Sequence, residues 1–283
     1  MSSKSARRGA YAAQLALLSL PVSALVAGAP ALAQPAVNWT GFYAGFYAGG
    51  VWGRGNSTAS TDCPALVGAG PPGGYYCDAT NPASFANASA VTSAGSGSAS
   101  SSKFTGGIQA GRNWQTGNFV YGVEADFGAF NIRGSRSGSG VYTGGGAAFT
   151  VTNSFSTDWL LTARGRIGWA ASGWLVYATG GLAMSRVEVA NSFSDDNALG
   201  GFSGATGSAS ASKTKVGWTL GGGLEYALTR NWSLKGEYLY VDLGSLSTLG
   251  TVSHLGFVGY TNALGVSTSL TAHVARLGAN YRF

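Results

Sequence analysis

The sequence predicts an all-β fold: an eight-stranded antiparallel up-and-down transmembrane β-barrel with long extracellular loops. Three observations predict it. Segments of alternating hydrophobicity have the length of membrane-crossing strands, short and long connections alternate strictly between them, and aromatic residues gather beside the short connections. Composition agrees. Of 283 residues only 10% are charged and 12% are aromatic, and 46 are glycine. Disordered chains are poor in aromatics. Eight Trp, thirteen Tyr and thirteen Phe need an apolar surrounding, which lipid supplies. No long 3.6-residue apolar period supports a helical bundle.

The N-terminus has the organisation of an export signal. Lys4, Arg7 and Arg8 make a basic start, the stretch from Tyr11 to Ala29 is apolar and small, and Ala31-Leu32-Ala33 is an A-x-A site. Residues 1–33 are therefore expected to be a cleaved signal peptide and 34–283 the barrel domain. Pro21 and Pro30 argue against an uncleaved membrane helix. Beyond Ala33 there is no run of eighteen apolar residues, so a membrane protein must cross with strands. Without the three N-terminal cations, 14 basic residues face 11 acidic ones. No basic block remains, and no nucleic-acid partner is expected.

Eight segments alternate between two faces. In Gly41–Gly53 both faces are aromatic or small, so its facing stays open. In Phe104–Gln115, Phe104, Ile108, Ala110 and Trp114 oppose Thr105, Gln109 and Asn113. In Phe119–Phe130, Phe119, Tyr121, Val123, Ala125 and Phe127 face lipid while Glu124 and Asp126 point inward. In Trp159–Ala170, Leu161, Ala163, Ile167 and Trp169 oppose Thr162, Arg164 and Arg166. In Trp174–Arg186, Val176, Ala178, Leu182 and Met184 oppose Tyr177, Thr179 and Ser185. In Lys215–Ala227, Val216, Trp218, Leu220, Leu224 and Tyr226 oppose Lys215, Thr219 and Glu225. In Trp232–Asp242, Trp232, Leu234, Tyr238 and Tyr240 oppose Ser233, Lys235 and Glu237. In Leu270–Phe283, Ala275, Leu277, Ala279, Tyr281 and Phe283 oppose Arg276 and Asn280.

Three connections have tight-turn length and chemistry: Thr116-Gly117-Asn118, Ala171-Ser172-Gly173 and Leu228-Thr229-Arg230-Asn231. The other four, Arg54–Lys103, Asn131–Asp158, Val187–Thr214 and Leu243–Ser269, are long and rich in Ser, Gly, Thr and Asn, and are expected to be external loops. An even strand number puts both termini at the short-turn, periplasmic end. Trp114, Phe119, Trp169, Trp174, Tyr226 and Trp232 flank the turns, as an interfacial girdle requires.

The inward charges are Glu124, Asp126, Arg164, Arg166, Lys215, Glu225, Lys235, Glu237 and Arg276. Glu124 and Asp126 resemble a catalytic carboxylate pair, but adjacent strands set them against Arg164 and Arg166. Lumen ion pairs account for both signs at once, because an unpaired charge in a narrow interior is costly. Eight strands leave an interior that side chains fill, so a wide pore is not expected. Cys63 and Cys77 are expected to form one disulfide after export. His254 and His273 lie far from them, which weakens a metal reading, and no cofactor is implied. Gly68-Ala69-Gly70-Pro71-Pro72-Gly73 matches a dinucleotide fingerprint only formally, since it neither follows a strand nor opens a helix.

Several stretches carry a family resemblance. They are Asn38-Trp39-Thr40-Gly41-Phe42-Tyr43, Val120 to Asp126, Ala163 to Gly168, Tyr177 to Gly181, Trp232 to Tyr240 and Arg276 to Phe283, in that order. The ordered set resembles the small outer-membrane β-barrel family of opacity-type surface proteins and the OmpA transmembrane domain, in particular outer-membrane immunogenic, porin-like proteins. The resemblance implies the outer membrane of a Gram-negative bacterium, with lipid and lipopolysaccharide around the wall. It also implies recognition of Tyr281 and Phe283 by the barrel-assembly machinery, and a structural, envelope-integrity or loop-mediated role toward host or phage surface ligands. A small weakly conducting pore is an alternative. A lipid-modifying enzyme is another, but the His and Ser two apart of such deacylases are missing: His254-Leu255-Gly256 and His273-Val274-Ala275 lack that Ser.

Overall fold

Strands account for most of the chain. The computed structural model describes residues 37–62, 82–143, 146–199, 202–254, 256 and 261–283. The signal peptide expected at 1–33 and the disulfide expected of Cys63 and Cys77 lie outside them. In chain order the elements are β1 (Gly41–Asp62), α1 (Pro82–Gly95), β2 (Gly97–Thr116), β3 (Phe119–Ala129), β4 (Arg133–Val141), β5 (Ala148–Thr157) and β6 (Trp159–Ala171). Then come β7 (Trp174–Asp195), β8 (Ala198–Leu199), β9 (Phe202–Ser203), β10 (Ala205–Ala227), β11 (Trp232–His254) and β12 (Thr261–Arg282).

Eight of these strands close a ring in the order β10-β11-β12-β1-β2-β3-β6-β7, with β7 pairing back onto β10. Every neighbouring pair is antiparallel. Closure leaves the ring without an open edge, as lipid demands. The three short connections turn as expected. Gly117 has φ 59°, and Ser172 and Gly173 have φ 48° and 85°, the left-handed pair of a type I′ hairpin turn.

Three of the four long connections differ from expectation in being largely strand, and the described part of the first combines strand with a helix. β1, β7, β10, β11 and β12 each run 22 or 23 residues, about twice a membrane crossing. The second connection folds into the β4–β5 hairpin, whose β5 pairs with the outer half of β7. The first contains α1, with Pro82 at its first position, where a missing N–H costs nothing. The cause is a second alternation, of apolar side chains with Ser and Thr. Phe149, Val151, Phe193, Val252, Leu264 and Val266 all point inward and bury together with Ala88 and Val91 of α1.

The outer face changes character along the long strands. On β1, Phe42, Phe46 and Trp52 are exposed, and beyond them the outward residues are Arg54, Asn56, Thr58 and Ser60. On β10, Val216, Trp218, Leu220 and Leu224 give way to Ser208, Ser210, Ser212 and Thr214. The eleven residues from Phe42 to Trp52 match the length of one crossing. The apolar band therefore covers the turn-side half of the barrel, and the Ser/Thr half projects from the membrane.

Candidate functional site

Period-2 geometry sends alternate residues of all eight wall strands into the lumen. Near the turn end they assemble a charge layer. Four carboxylates, of Glu124, Asp126, Glu225 and Glu237, meet four cations, of Arg164, Arg166, Lys235 and Arg276. Each of these eight side chains is at most 3% exposed. The layer has no net formal charge, which is the condition for keeping ions out of water at tolerable cost.

Strand register sets the pairs. Glu124 lies opposite Arg164 and Glu237 opposite Arg276. Arg164 reaches Glu124 at 2.5 Å, Asp126 at 2.7 Å and Glu237 at 3.1 Å. Arg276 reaches Asp126 at 3.0 Å and Glu237 at 2.5 Å. Lys235 donates to both oxygens of Glu124 at 2.8 Å. Register sets Glu225 opposite Lys235, yet its salt bridge crosses the lumen to Arg166 at 2.9 Å. Ser233 and Asn280 donate to its other oxygen at 2.6 and 2.9 Å.

Lys215 does not join this layer. It shares the inward parity of Glu225 but stands ten residues away on β10, roughly 33 Å of strand. Its ammonium donates to the Ser245 carbonyl at 2.8 Å, beside the register shift of β11. Alternation gives the facing of a residue but not its height.

Three tyrosines complete the layer. Tyr43 donates to Glu124 at 2.7 Å and accepts from Arg166 at 3.0 Å, and Tyr177 donates to Glu237 at 2.8 Å. Arg166 lies 4.0 Å from the Tyr177 ring centroid and Arg276 4.1 Å from that of Tyr47. Sequence reasoning left the facing of β1 open. The signal was there: Tyr43 and Tyr47 share one parity, Phe42 and Phe46 the other, and a buried hydroxyl needs a partner.

Apolar layers sandwich the charges. At the short-turn mouth Trp39 is buried among Val120, Ala170, Leu175 and Tyr177. Arg282 caps it, 4.5 Å from the indole centroid, and donates to the carbonyls of Asn38 and Arg230 at 3.1 and 3.0 Å. On the outer side Val51, Leu160, Ala183, Leu239, Val241, Leu270 and Val274 pack together. The charge layer thus lies between apolar layers, and further buried polar residues, among them Asn191 and Thr248, stand beyond the outer one. Above it β11 meets β7, where Thr248 donates to Asn191 at 3.0 Å.

The two histidines stand apart from this layer. On the outer wall His273 Nδ1 pairs with the Tyr238 hydroxyl at 2.5 Å. His254 Nε2 meets the Asn197 carbonyl at 3.2 Å, and its Nδ1 accepts from the Gly256 amide at 3.1 Å. Among the described residues no group of three or more His, Cys, Asp or Glu is arranged to hold a metal ion.

Comparison with known proteins places this geometry. The family model for the outer membrane protein beta-barrel domain matches residues 21–283. A 31 kDa outer-membrane immunogenic protein of Brucella melitensis is 39% identical over 183 residues, 64% of this chain and 66% of that protein. The match therefore spans just under two thirds of the relative's length. A 22 kDa outer membrane protein of Rhizobium leguminosarum is 36% identical over 142 residues, 50% of this chain and 54% of that one. Among solved structures, the outer membrane protein OprG of Pseudomonas aeruginosa aligns at a TM-score of 0.44 and 11% identity, over 87% of this chain and 98% of its own. The outer membrane protease OmpT of Escherichia coli aligns at 0.39 and 12%, over 89% and 99%.

Proposed function

Because this chain belongs to the outer membrane protein beta-barrel domain family, we propose that it acts as a closed surface scaffold of the Gram-negative outer membrane. Its wall anchors in lipid beside lipopolysaccharide, and its long hairpins face outward. The role is structural, with contacts to host or phage surfaces made by the hairpins.

One observation carries this reading: the lumen is filled over three successive levels. Trp39 and Arg282 occupy the mouth, eight paired charges the layer above, and an apolar cluster around Val51 and Leu239 the next. A small barrel whose interior side chains interdigitate is a packed core rather than a channel. The outward hairpin residues, mostly Ser, Thr and Asn, offer hydrogen-bonding groups at low charge.

A non-enzymatic role accords with the engagement of the acids. Each lumen carboxylate accepts from at least two cationic or hydroxyl donors, and general-base work needs a carboxylate or imidazole in reach of substrate.

Planar-bilayer recording of the purified protein tests the closed lumen. No stable unitary conductance is expected at neutral pH. Regular stepwise openings of constant size overturn the reading in favour of a small pore. A deletion strain complemented with a barrel whose β4–β5 hairpin is shortened tests the outward role: adhesion or phage adsorption should fall while detergent resistance is retained.

A further inference from the structure

Arg112 is out of keeping with the lipid-facing wall. β2 turns its even-numbered residues outward, with Phe104 73% and Ile108 66% exposed, and Arg112 shares their parity and is itself exposed. No salt bridge among the described residues includes it. Its guanidinium instead lies 4.7 Å from the Phe42 ring centroid and 5.0 Å from that of Trp114. Two aromatic faces hold it in place without neutralising it.

Register sets its height. Arg112 pairs with Phe42 and Val123, one outward pair nearer the membrane centre than Trp114 and Tyr121, which stack at 5.7 Å near the turn. The next outward row toward the centre is unlike its neighbours. Ala44 lies opposite Ala110, Ala110 opposite Ala125, and Ala125 opposite Ala163, so four adjacent strands present a methyl group at one level. Beyond it Phe46, Ile108, Phe127 and Leu161 form a bulky row by the same pairing. The result is a groove of about 720 Å³ with an alanine floor, Phe42 and Phe283 on its rim, and Arg112 in its wall. That volume is in the range of ligand clefts.

We propose that this groove is a binding site for one anionic phospholipid of the periplasmic leaflet, with an acyl chain along the alanine row and its phosphate on the Arg112 guanidinium. Charge complementarity selects this occupant. An unpaired cation at the hydrocarbon edge is costly and reaches for the interface. A guanidinium gives a phosphate two parallel charge-assisted hydrogen bonds. The site stands beside the short-turn end, so its leaflet is the inner one. A second copy of this chain would bring its own Arg112, or an apolar wall, against this cation and would leave it unneutralised.

Native mass spectrometry of the detergent-solubilised barrel, titrated with phosphatidylglycerol and in parallel with diacylglycerol, tests the proposal. The wild-type barrel should retain phosphatidylglycerol at least fivefold better than Arg112→Gln, with Arg112→Lys in between, while diacylglycerol should not separate the three. Ala125→Trp, which fills the groove and leaves the cation, should lose phosphatidylglycerol as well. Heat-modifiable migration of each variant confirms that it is folded. Equal phosphatidylglycerol retention by folded wild type and Arg112→Gln overturns the proposal. So does disulfide-linked dimer formation by Ala125→Cys in membranes, which would assign the groove to a second copy.

Discussion

Arg164 sits directly opposite Glu124 across the β3–β6 ladder, and its guanidinium meets that carboxylate at 2.5 Å with both side chains at most 2% exposed. Removing one partner strands a charge in a layer that is otherwise neutral. Arg164→Ala and Glu124→Ala should each destabilise the barrel by on the order of 3–5 kcal/mol. The double variant restores neutrality and should lose less than the sum. Melting followed by heat-modifiable gel shift in detergent measures the cycle, and strict additivity would mean that the two groups do not interact.

Two lysines of one inward parity should behave differently. Lys235 lies in the charge layer, 2.8 Å from Glu124 and 3.3 Å from Glu237, whereas Lys215 makes one hydrogen bond to a backbone carbonyl. Lys235→Ala should cost several kcal/mol. Lys215→Ala should stay within about 0.5 kcal/mol, as partly exposed positions do. Equal losses would show that inward parity alone, and not height in the lumen, decides the contribution.

The Trp39 indole plugs the mouth, and its backbone amide donates to Gln115 Oε1 at 2.7 Å. Trp39→Ala empties a fully buried site and should cost about 3–5 kcal/mol. The same melting assay reads it; a change under about 1 kcal/mol would mean that the N-terminal strap is not docked in solution.

What was legible in the sequence followed from periodicity. All eight wall strands cover the expected segments to within one residue, because lipid on one side and packed lumen on the other write period 2 into every crossing. The long connections were misjudged as loops because their outward residues are Ser, Thr and Gly, which are also turn residues. The inward alternation of Phe149, Val151 and Phe155, or of Leu264 and Val266, was the missed signal. Lumen heights were not legible, since they depend on register between strands distant in the chain. The apolar layer around Leu239 and Val241 went unread for a related reason. Tyr238 and Tyr240 on the opposite face were assigned to lipid, which turns Leu239 and Val241 inward by parity, but their height above the charges comes only from register.

Topology has a direct test. In a Cys63→Ser/Cys77→Ser background, Ser247→Cys on the exposed face of the β11 extension should react on intact cells with a membrane-impermeant maleimide. Asn118→Cys in the β2–β3 turn should react only after the outer membrane is permeabilised. Reversed labelling would invert the barrel.

The chain end supplies the last prediction. Phe283 donates its backbone amide to the Phe42 carbonyl at 3.0 Å, and its ring stands edge-on to Tyr281 at 5.3 Å. The side chain itself is 78% exposed on the lipid side. Little of its area is buried against protein, so removing it should barely change the melting of barrels that have already folded. Its position is nonetheless sensitive, because β12 pairs with β1 to close the ring and Phe283 lies at the start of that seam. A charged residue there would put an ion among Phe42, Tyr281 and lipid, a cost that falls on insertion. Deleting Phe283, or Phe283→Asp, should therefore reduce the amount of protein reaching the outer membrane while the inserted fraction melts within about 1 kcal/mol of wild type. Quantitative blotting of outer-membrane fractions alongside the melting assay separates the two effects. Normal yield with lowered melting would make Phe283 a packing residue rather than an assembly signal.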